Sequence, residues 1–115
     1  MKYVFVFALL TVAFGCLTTT RTVSSESYNA SAADAAQLYA KNCASCHGKD
    51  GRAKTIKGRL KHARDLTDSA WQSRVGDERI FNSIINGKGK MPSYNKKLSE
   101  PEIDSLVSYV RGLKK

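Results

Sequence analysis

Two cysteines and a histidine stand at a spacing that has a specific chemical use. Cys43 and Cys46 lie three positions apart, and His47 follows at once. Two thiols at this spacing can form thioethers to two vinyl groups on one edge of a porphyrin, and the adjacent imidazole can then reach the iron. The spacing therefore predicts one covalently attached haem c, with Cys43, Cys46 and His47 as the residues that bind it.

Two other uses of a Cys-x-x-Cys pair fit the sequence less well. A thioredoxin-like redox pair belongs in a βαβ setting, and no pattern of strands surrounds Cys43 and Cys46. A structural zinc site needs four ligands, and His62 is the only other histidine besides His47. Haem attachment is therefore the preferred interpretation.

Met91 is the predicted second ligand of the iron. Met1 belongs to a predicted signal, so Met91 is the single thioether of the mature chain. It stands in Gly87-Lys-Gly-Lys-Met91-Pro92, where glycines allow close approach of the backbone to a ligand and the proline keeps Met91 extended. A Met ligand favours ferrous iron, which suits an electron carrier. The alternatives are a Met that fills a core gap, His62 as the ligand, or an open position.

The elements that position these residues are all predicted to be helices or loops. One helix runs into the haem motif from a capping-box-like start at Ser31, a second begins at Asp77 and ends at Gly87, and Ser99 caps the last. Each helix has one face at helical spacing: Ala35, Leu38, Tyr39 and Asn42; Ile80, Phe81, Ile84 and Ile85; Ile103, Leu106, Val107, Val110 and Leu113. Asp68 or Ser69 is expected to cap a short turn that carries Trp71. Residues 48–64 show no sustained period and are predicted to form a basic loop.

Length and composition allow one domain, preceded by an export signal and a tether. Residues 1–15 combine Lys2, an uncharged apolar stretch and small residues at the end, as a cleaved signal does. Ala13-Phe-Gly-Cys16 is similar to a lipobox and predicts a lipidated Cys16; the alternative is a free thiol beside an ordinary cleavage point. Residues 16–30, rich in Thr and Ser, are typical of a flexible tether. Residues 31–115 then form the ordered domain, whose small core a bound haem would stabilise.

Three stretches of the chain together carry a family resemblance. They are Leu38-Tyr39-x3-Cys43-x2-Cys46-His47-Gly48, Gly87-Lys-Gly-Lys-Met91-Pro92 and the terminal Val107-Ser-Tyr109-Val110. The chain resembles the class I monohaem cytochrome c family, above all its small cytochrome c6- and c553-like members. The resemblance implies an all-α cytochrome c fold, in which three main helices and loops surround one haem. It also implies that His47 and Met91 ligate the iron and that Leu38, Tyr39 and Tyr109 join the first helix to the last.

The resemblance further implies an aromatic side chain against the haem or one of its propionates. Trp71 is the only tryptophan, and it either donates its indole N–H to a propionate or belongs to the ordinary core. Tyr94 follows Met91 by three positions and is expected to pack over the ligand loop rather than make a specific bond. Both residues are therefore candidate haem-binding residues.

The surplus positive charge lies between the haem motif and the end of the Met91 loop. Residues 48–97 contain thirteen Lys and Arg against five Asp and Glu, out of a net charge of +9 for the chain. This distribution predicts a basic collar around the haem, which would attract an acidic docking patch on a redox partner. Anionic lipid headgroups are a further partner if Cys16 is acylated. Export and haem attachment argue against nucleic acid as the partner.

These observations together predict a monomeric carrier of single electrons rather than an enzyme. A six-coordinate iron leaves no room for a small-molecule substrate, and no acid, base or nucleophile cluster accompanies the motif. The expected location is the periplasm, with attachment to a membrane if Cys16 carries lipid. Two other functions stay open: a haem-based gas sensor with an open sixth position, and a haem subunit docked on a larger membrane oxidoreductase.

Overall fold

The computed structural model describes residues 32–115, and the regular elements within them are helices. The three longest are α1, α5 and α6, as the predicted all-α fold with three main helices requires. In chain order the six helices are α1 Ala32–Asn42, α2 Ala44–His47, α3 Ile56–Lys61, α4 Ser69–Arg74, α5 Asp77–Asn86 and α6 Glu100–Gly112. The predicted signal, tether, Cys16 and Ser31 cap lie outside the described residues.

None of the helices in residues 32–115 has the length and apolar character that a bilayer span requires.

The first and last helices pack against each other at the centre of the fold. The rings of Tyr39 and Tyr109 lie with their centroids 4.8 Å apart, so the predicted contact between α1 and α6 is confirmed. The predicted apolar faces supply the core, in which Ile103 is completely buried. The Tyr39 hydroxyl donates to the Gly48 carbonyl oxygen at 2.8 Å. Burial raises the pKa of Tyr39 above its ordinary range, so this hydroxyl remains a donor.

Two of the predicted helix caps are present. The Asp68 carboxylate accepts from the N–H groups of Ala70 and Trp71 at 2.9 and 3.1 Å, which starts α4. At the start of α6, the Glu102 carboxylate accepts from the Ser99 N–H at 2.8 Å, in a capping box. Both caps satisfy N–H groups that would otherwise lack partners.

The prediction of an aperiodic loop over residues 48–64 was wrong in part, because α3 lies within it. Its six residues make fewer than two turns, too short for a helical period to stand out. Its two large apolar residues, Ile56 and Leu60, are exposed and so contribute no core-facing stripe. The Thr55 hydroxyl oxygen caps the helix by accepting from the Gly58 N–H at 2.8 Å.

A polar cluster around the buried Gln72 fixes α4 on α6. The side-chain amide of Gln72 donates to the carbonyl oxygens of Leu66 and Val110, both at 2.8 Å. The Arg111 guanidinium donates to the Gln72 side-chain oxygen at 2.9 Å and to the Asp77 carboxylate at 2.6 Å. The side-chain nitrogen and oxygen of Gln72 therefore both have hydrogen-bond partners, which is the condition under which a buried polar side chain is tolerated.

Candidate haem-binding site

A cavity of about 840 Å³ lies beside the Cys-x-x-Cys-His turn. Its aromatic and aliphatic lining is Tyr39, Leu66, Trp71, Val75, Ile80, Ile84, Tyr94, Leu106 and Val110. The structure brings all the candidate site residues to this one cavity: Cys43, Cys46, His47, Trp71, Met91 and Tyr94. The candidate residues, which span 51 positions of sequence from Cys43 to Tyr94, thus line one cavity.

The two cysteines reach the cavity on a turn that continues α1. The Cys43 N–H donates to the Tyr39 carbonyl at 2.8 Å, and the His47 N–H donates to the Cys43 carbonyl at 3.0 Å. Cys43 and Cys46 are not joined in a disulfide. Burial, with Cys46 adding to it, raises the pKa of the Cys43 thiol to about 11. Reactive redox cysteines have lowered pKa values, so this environment argues against a thioredoxin-like pair.

The His47 ring is oriented by a backbone carbonyl. Its Nδ1 lies 2.9 Å from the carbonyl oxygen of Arg64. Because a carbonyl only accepts, Nδ1 carries the hydrogen, and Nε2 of the neutral ring is left with a free lone pair. Burial lowers the pKa of His47, and the bond to Arg64 opposes this in part. The neutral form, which binds metals, is therefore favoured.

A tight turn holds Met91 at the cavity. The Met91 N–H donates to the Lys88 carbonyl at 3.0 Å, and the Lys88 N–H donates back to the Met91 carbonyl at 3.2 Å. Gly87 has φ +76°, and a Cβ there would lie 2.7 Å from the Met91 carbonyl oxygen. Glycine at position 87 therefore permits a close approach between two backbone segments of the loop. The Tyr94 N–H then donates to the Ile84 carbonyl at 3.1 Å, which brings the loop back onto α5.

Tyr94 makes a specific bond, so the expectation that it only packs over the ligand loop was wrong. Its hydroxyl donates to the Asn42 carbonyl oxygen at 2.7 Å, across 52 positions of sequence. Only the fold brings the two residues together, so no local pattern reveals the contact. Trp71 is half-buried, packs against the core cluster and lines the cavity.

Exposed basic side chains line the outer part of the same cavity. Within the described residues, this lining contains no Asp or Glu, and its Lys and Arg members are Lys41, Lys57, Lys61, Arg64, Arg79, Lys88, Lys90 and Lys97. The Lys90 ammonium donates to the Leu60 carbonyl oxygen at 3.1 Å, which joins the Met91 loop to α3. His62, at the end of α3, is exposed with φ +54° and also lines the cavity.

The residues of the cavity fit a covalently bound haem. They supply two thiols, the imidazoles of His47 and His62, and one thioether beside apolar walls, in a volume within the range of cofactor sites. A haem iron brings four nitrogen ligands of its own, so the protein needs to supply only one or two. No group of three His, Cys, Asp or Glu in residues 32–115 is arranged to hold a metal ion alone, which argues against the zinc alternative.

Comparison with known proteins points to one family. The family model described as cytochrome c oxidase, cbb3-type, subunit III matches residues 30–110. The cbb3-type oxidase subunit CcoP of Cereibacter sphaeroides is 33% identical over 93 residues, which are 79% of this chain and 31% of that protein. Cytochrome c6 of Picosynechococcus sp. is 30% identical over 106 residues, 89% of this chain and 90% of the relative.

The solved structures agree with this assignment. The KustC0563 c-type cytochrome superposes with a TM-score of 0.66 at 38% identity, over 70% of this chain and 98% of that one. The chain spans about a third of the length of the oxidase subunit CcoP. It therefore belongs to the cytochrome c family, matches the family model of the cbb3-type oxidase subunit III over its haem domain, and binds haem c covalently.

Proposed function

We propose that this protein is an exported carrier of single electrons, with its haem held by Cys43 and Cys46 and ligated by His47 and Met91. The observation that supports it is that His47 and Met91 line the same apolar cavity as the two cysteines. The bound haem supplies the one-electron redox chemistry. With His47 and Met91 both holding the iron, we would expect no small-molecule substrate and no independent enzymatic activity.

The chain's own residues would keep this site rigid and dry. The Arg64 carbonyl holds the His47 ring with Nε2 free, and the turn at Lys88 fixes the backbone of Met91. The apolar lining keeps water from the redox centre, so little has to rearrange when the charge of the site changes. Such a closed site suits electron transfer better than ligand binding.

The axial ligands are tested by spectroscopy of the holoprotein. We expect low-spin haem with a Met-to-ferric-iron charge-transfer band, and little binding of carbon monoxide to the reduced form. Met91→Ala should abolish the band and admit carbon monoxide, whereas the control His62→Ala should change neither. A wild type without the band that binds carbon monoxide readily would instead support the gas-sensor alternative and overturn the carrier.

An acidic redox partner is the proposed destination of the electron, or its source. The basic side chains that line the cavity support this, because opposite charge on a partner would raise the encounter rate at low salt. We expect the rate of reduction by an acidic redox protein to fall steeply as salt rises. Lys61→Gln, at the cavity, should flatten this dependence more than Lys49→Gln, which does not line it. A rate independent of salt would contradict the proposal.

We also propose that residues 1–15 are a cleaved export signal and that residues 16–30 tether the domain from a lipidated Cys16. The small residues before Cys16 support this. Mass spectrometry of the N-terminus of the native protein tests it. A mature chain that begins at an unmodified residue excludes the lipid anchor.

A second candidate function is that of a haem subunit docked on a larger membrane oxidoreductase. It is favoured by the similarity to CcoP and FixP, which are named as subunits of the cbb3-type cytochrome c oxidase. Solubilised native membranes, separated by native electrophoresis and stained for haem, distinguish the two. A free carrier migrates alone, whereas a subunit migrates with a large complex.

A further inference from the structure

Two apolar side chains project to solvent from a helix that is otherwise basic. Ile56 is 81% exposed and Leu60 is 69% exposed, and they are the large hydrophobic residues that stand exposed in residues 32–115. Four positions apart in α3, they share one face of that helix. Lys57 and Lys61 of the same helix line the haem cavity. The exposed pair therefore stands at the edge of the redox site.

This helix is fixed to the haem-attachment turn. The Thr55 hydroxyl, which caps α3, donates to the Cys46 carbonyl oxygen at 2.9 Å. Gly58 packs so closely on the same carbonyl that a Cβ there would overlap it. On the other side, the Lys90 ammonium holds the Leu60 carbonyl. Ile56 and Leu60 are thus presented on a rigid element, which lowers the entropy lost when a partner binds them.

We propose that Ile56 and Leu60 form an apolar ridge, the α3 ridge, which enters an apolar recess bordered by carboxylates on a redox partner protein. The inference rests on the proposed carrier function and adds what holds the partner in place. Residues 51–64 contain six Lys and Arg and no Asp or Glu, and the Lys90 ammonium contacts the Leu60 carbonyl oxygen, so the charge that adjoins the ridge is positive. The complementary surface is an apolar patch with an acidic border.

The same charges separate this occupant from two others. A second copy of the chain would bring basic residues against basic residues, which is unfavourable. Helices that lie in a membrane surface present a broad apolar face, whereas α3 has six residues and two large apolar side chains. A protein recess that receives two side chains matches the ridge better.

The ridge and the basic residues would have different tasks. Charges steer the encounter, but salt screens them over about 10 Å at 0.1 M. Apolar contacts are not screened, and well-packed contacts of this kind dominate the lifetime of a complex. The α3 ridge would therefore keep the haem edge against the partner at an ionic strength that weakens the charge pairs.

The test uses the full mature holoprotein on two gold electrodes of defined chemistry. One carries a monolayer of carboxylate-terminated thiols, and the other carries carboxylate- and methyl-terminated thiols mixed. At physiological salt we expect Ile56→Ser with Leu60→Ser to bind the mixed monolayer about tenfold more weakly than wild type, and the pure carboxylate monolayer equally well. The control, Lys57→Gln with Lys61→Gln, should weaken binding to both surfaces at low salt.

Each further outcome decides the proposal. Equal binding of wild type and the Ile56, Leu60 double variant to the mixed monolayer overturns it. The proposal is also overturned if the double variant loses more binding to phosphatidylglycerol vesicles than to the mixed monolayer, which would assign the ridge to lipid. It is overturned as well if the wild type is a dimer and the double variant is a monomer. If voltammetry gives a reversible one-electron wave but the wild type prefers neither surface, the ridge alone is overturned. If that wave is absent, the carrier function itself is overturned. An unchanged melting temperature confirms that both variants fold.

Discussion

The Tyr94 hydroxyl donates a 2.7 Å hydrogen bond to the Asn42 carbonyl oxygen, and this bond joins the Met91 loop to the haem-attachment turn. Asn42 immediately precedes Cys43, and Tyr94 follows Met91 by three positions. Tyr94 is also part of the buried core, with 9% of its surface exposed. The position of Met91 relative to Cys43 therefore depends on this bond together with the packing of one ring.

Removing only the hydroxyl tests this connection. Tyr94→Phe keeps the ring but leaves the partly buried Asn42 carbonyl without its donor, at a cost of about 1 kcal/mol. For a domain of this size, that loss lowers the melting temperature by roughly 4–8 °C. We also expect the variant to bind carbon monoxide faster in the reduced form, since the Met91 loop is held less firmly. Tyr109→Phe is the control, because it removes a hydroxyl away from this loop; equal effects of the two changes would contradict the prediction.

Two glycines of the Met91 loop form a matched pair for substitution. Both have positive φ, +76° at Gly87 and +58° at Gly89, but only Gly87 is close to other atoms. A Cβ at Gly87 would lie 2.7 Å from the Met91 carbonyl oxygen and 2.9 Å from the Ser93 nitrogen, whereas at Gly89 nothing lies within 4 Å. Ala at either position pays about 1–2 kcal/mol for the left-handed backbone.

Gly87→Ala is therefore expected to cost more than Gly89→Ala, by about 1–3 kcal/mol from the added overlap. Chemical denaturation of the holoproteins measures the difference. We further expect Gly87→Ala to weaken the proposed Met-to-iron absorbance band, and Gly89→Ala to leave it in place. If the two variants are equally stable, the close approach at Gly87 does not constrain the loop.

The parts of the fold that follow local rules were predictable from the sequence. The caps at Asp68 and Ser99 depend on neighbouring residues, and the face that buries Ile103 depends on helical period, so both appear in the structure as expected. What could not be predicted depends on distant contacts. The Arg64 carbonyl that orients the His47 ring is 17 positions away. Because it is a backbone group, which any residue at that position would supply, the residue type gives no sign of the contact.

Helix α3 escaped prediction for a related reason. What positions it is the contact of Gly58 with the Cys46 carbonyl, and a glycine in a basic stretch indicates a turn as readily as a close approach. Gly58→Ala should therefore destabilise the holoprotein by about 1–3 kcal/mol through overlap. Gly112→Ala, in α6 with nothing within 4 Å of the added Cβ, should be neutral or slightly stabilising. Thermal unfolding compares the two, and a stabilised Gly58→Ala protein would refute the proposed contact.

The capping box of α6 predicts a pH dependence of stability. The Glu102 carboxylate accepts from the N–H and the hydroxyl of Ser99 at 2.8 and 2.9 Å, and these bonds lower its pKa below the ordinary 4.5. A carboxyl group with a lowered pKa in the folded state stabilises the protein above its ordinary pKa, and this contribution is lost as the pH falls through the folded value. Glu102→Gln keeps an acceptor without the charge, so its stability deficit should be present at pH 7, shrink as the pH falls below the ordinary pKa of 4.5, and vanish only below the lowered pKa of the folded state. Glu100→Gln removes a carboxylate at the first position of the same helix. A stability deficit equal to that of Glu102→Gln would show that any acidic residue near the start of the helix stabilises it. A deficit of Glu102→Gln that persists unchanged at low pH would show that the cap does not depend on the ionised carboxylate.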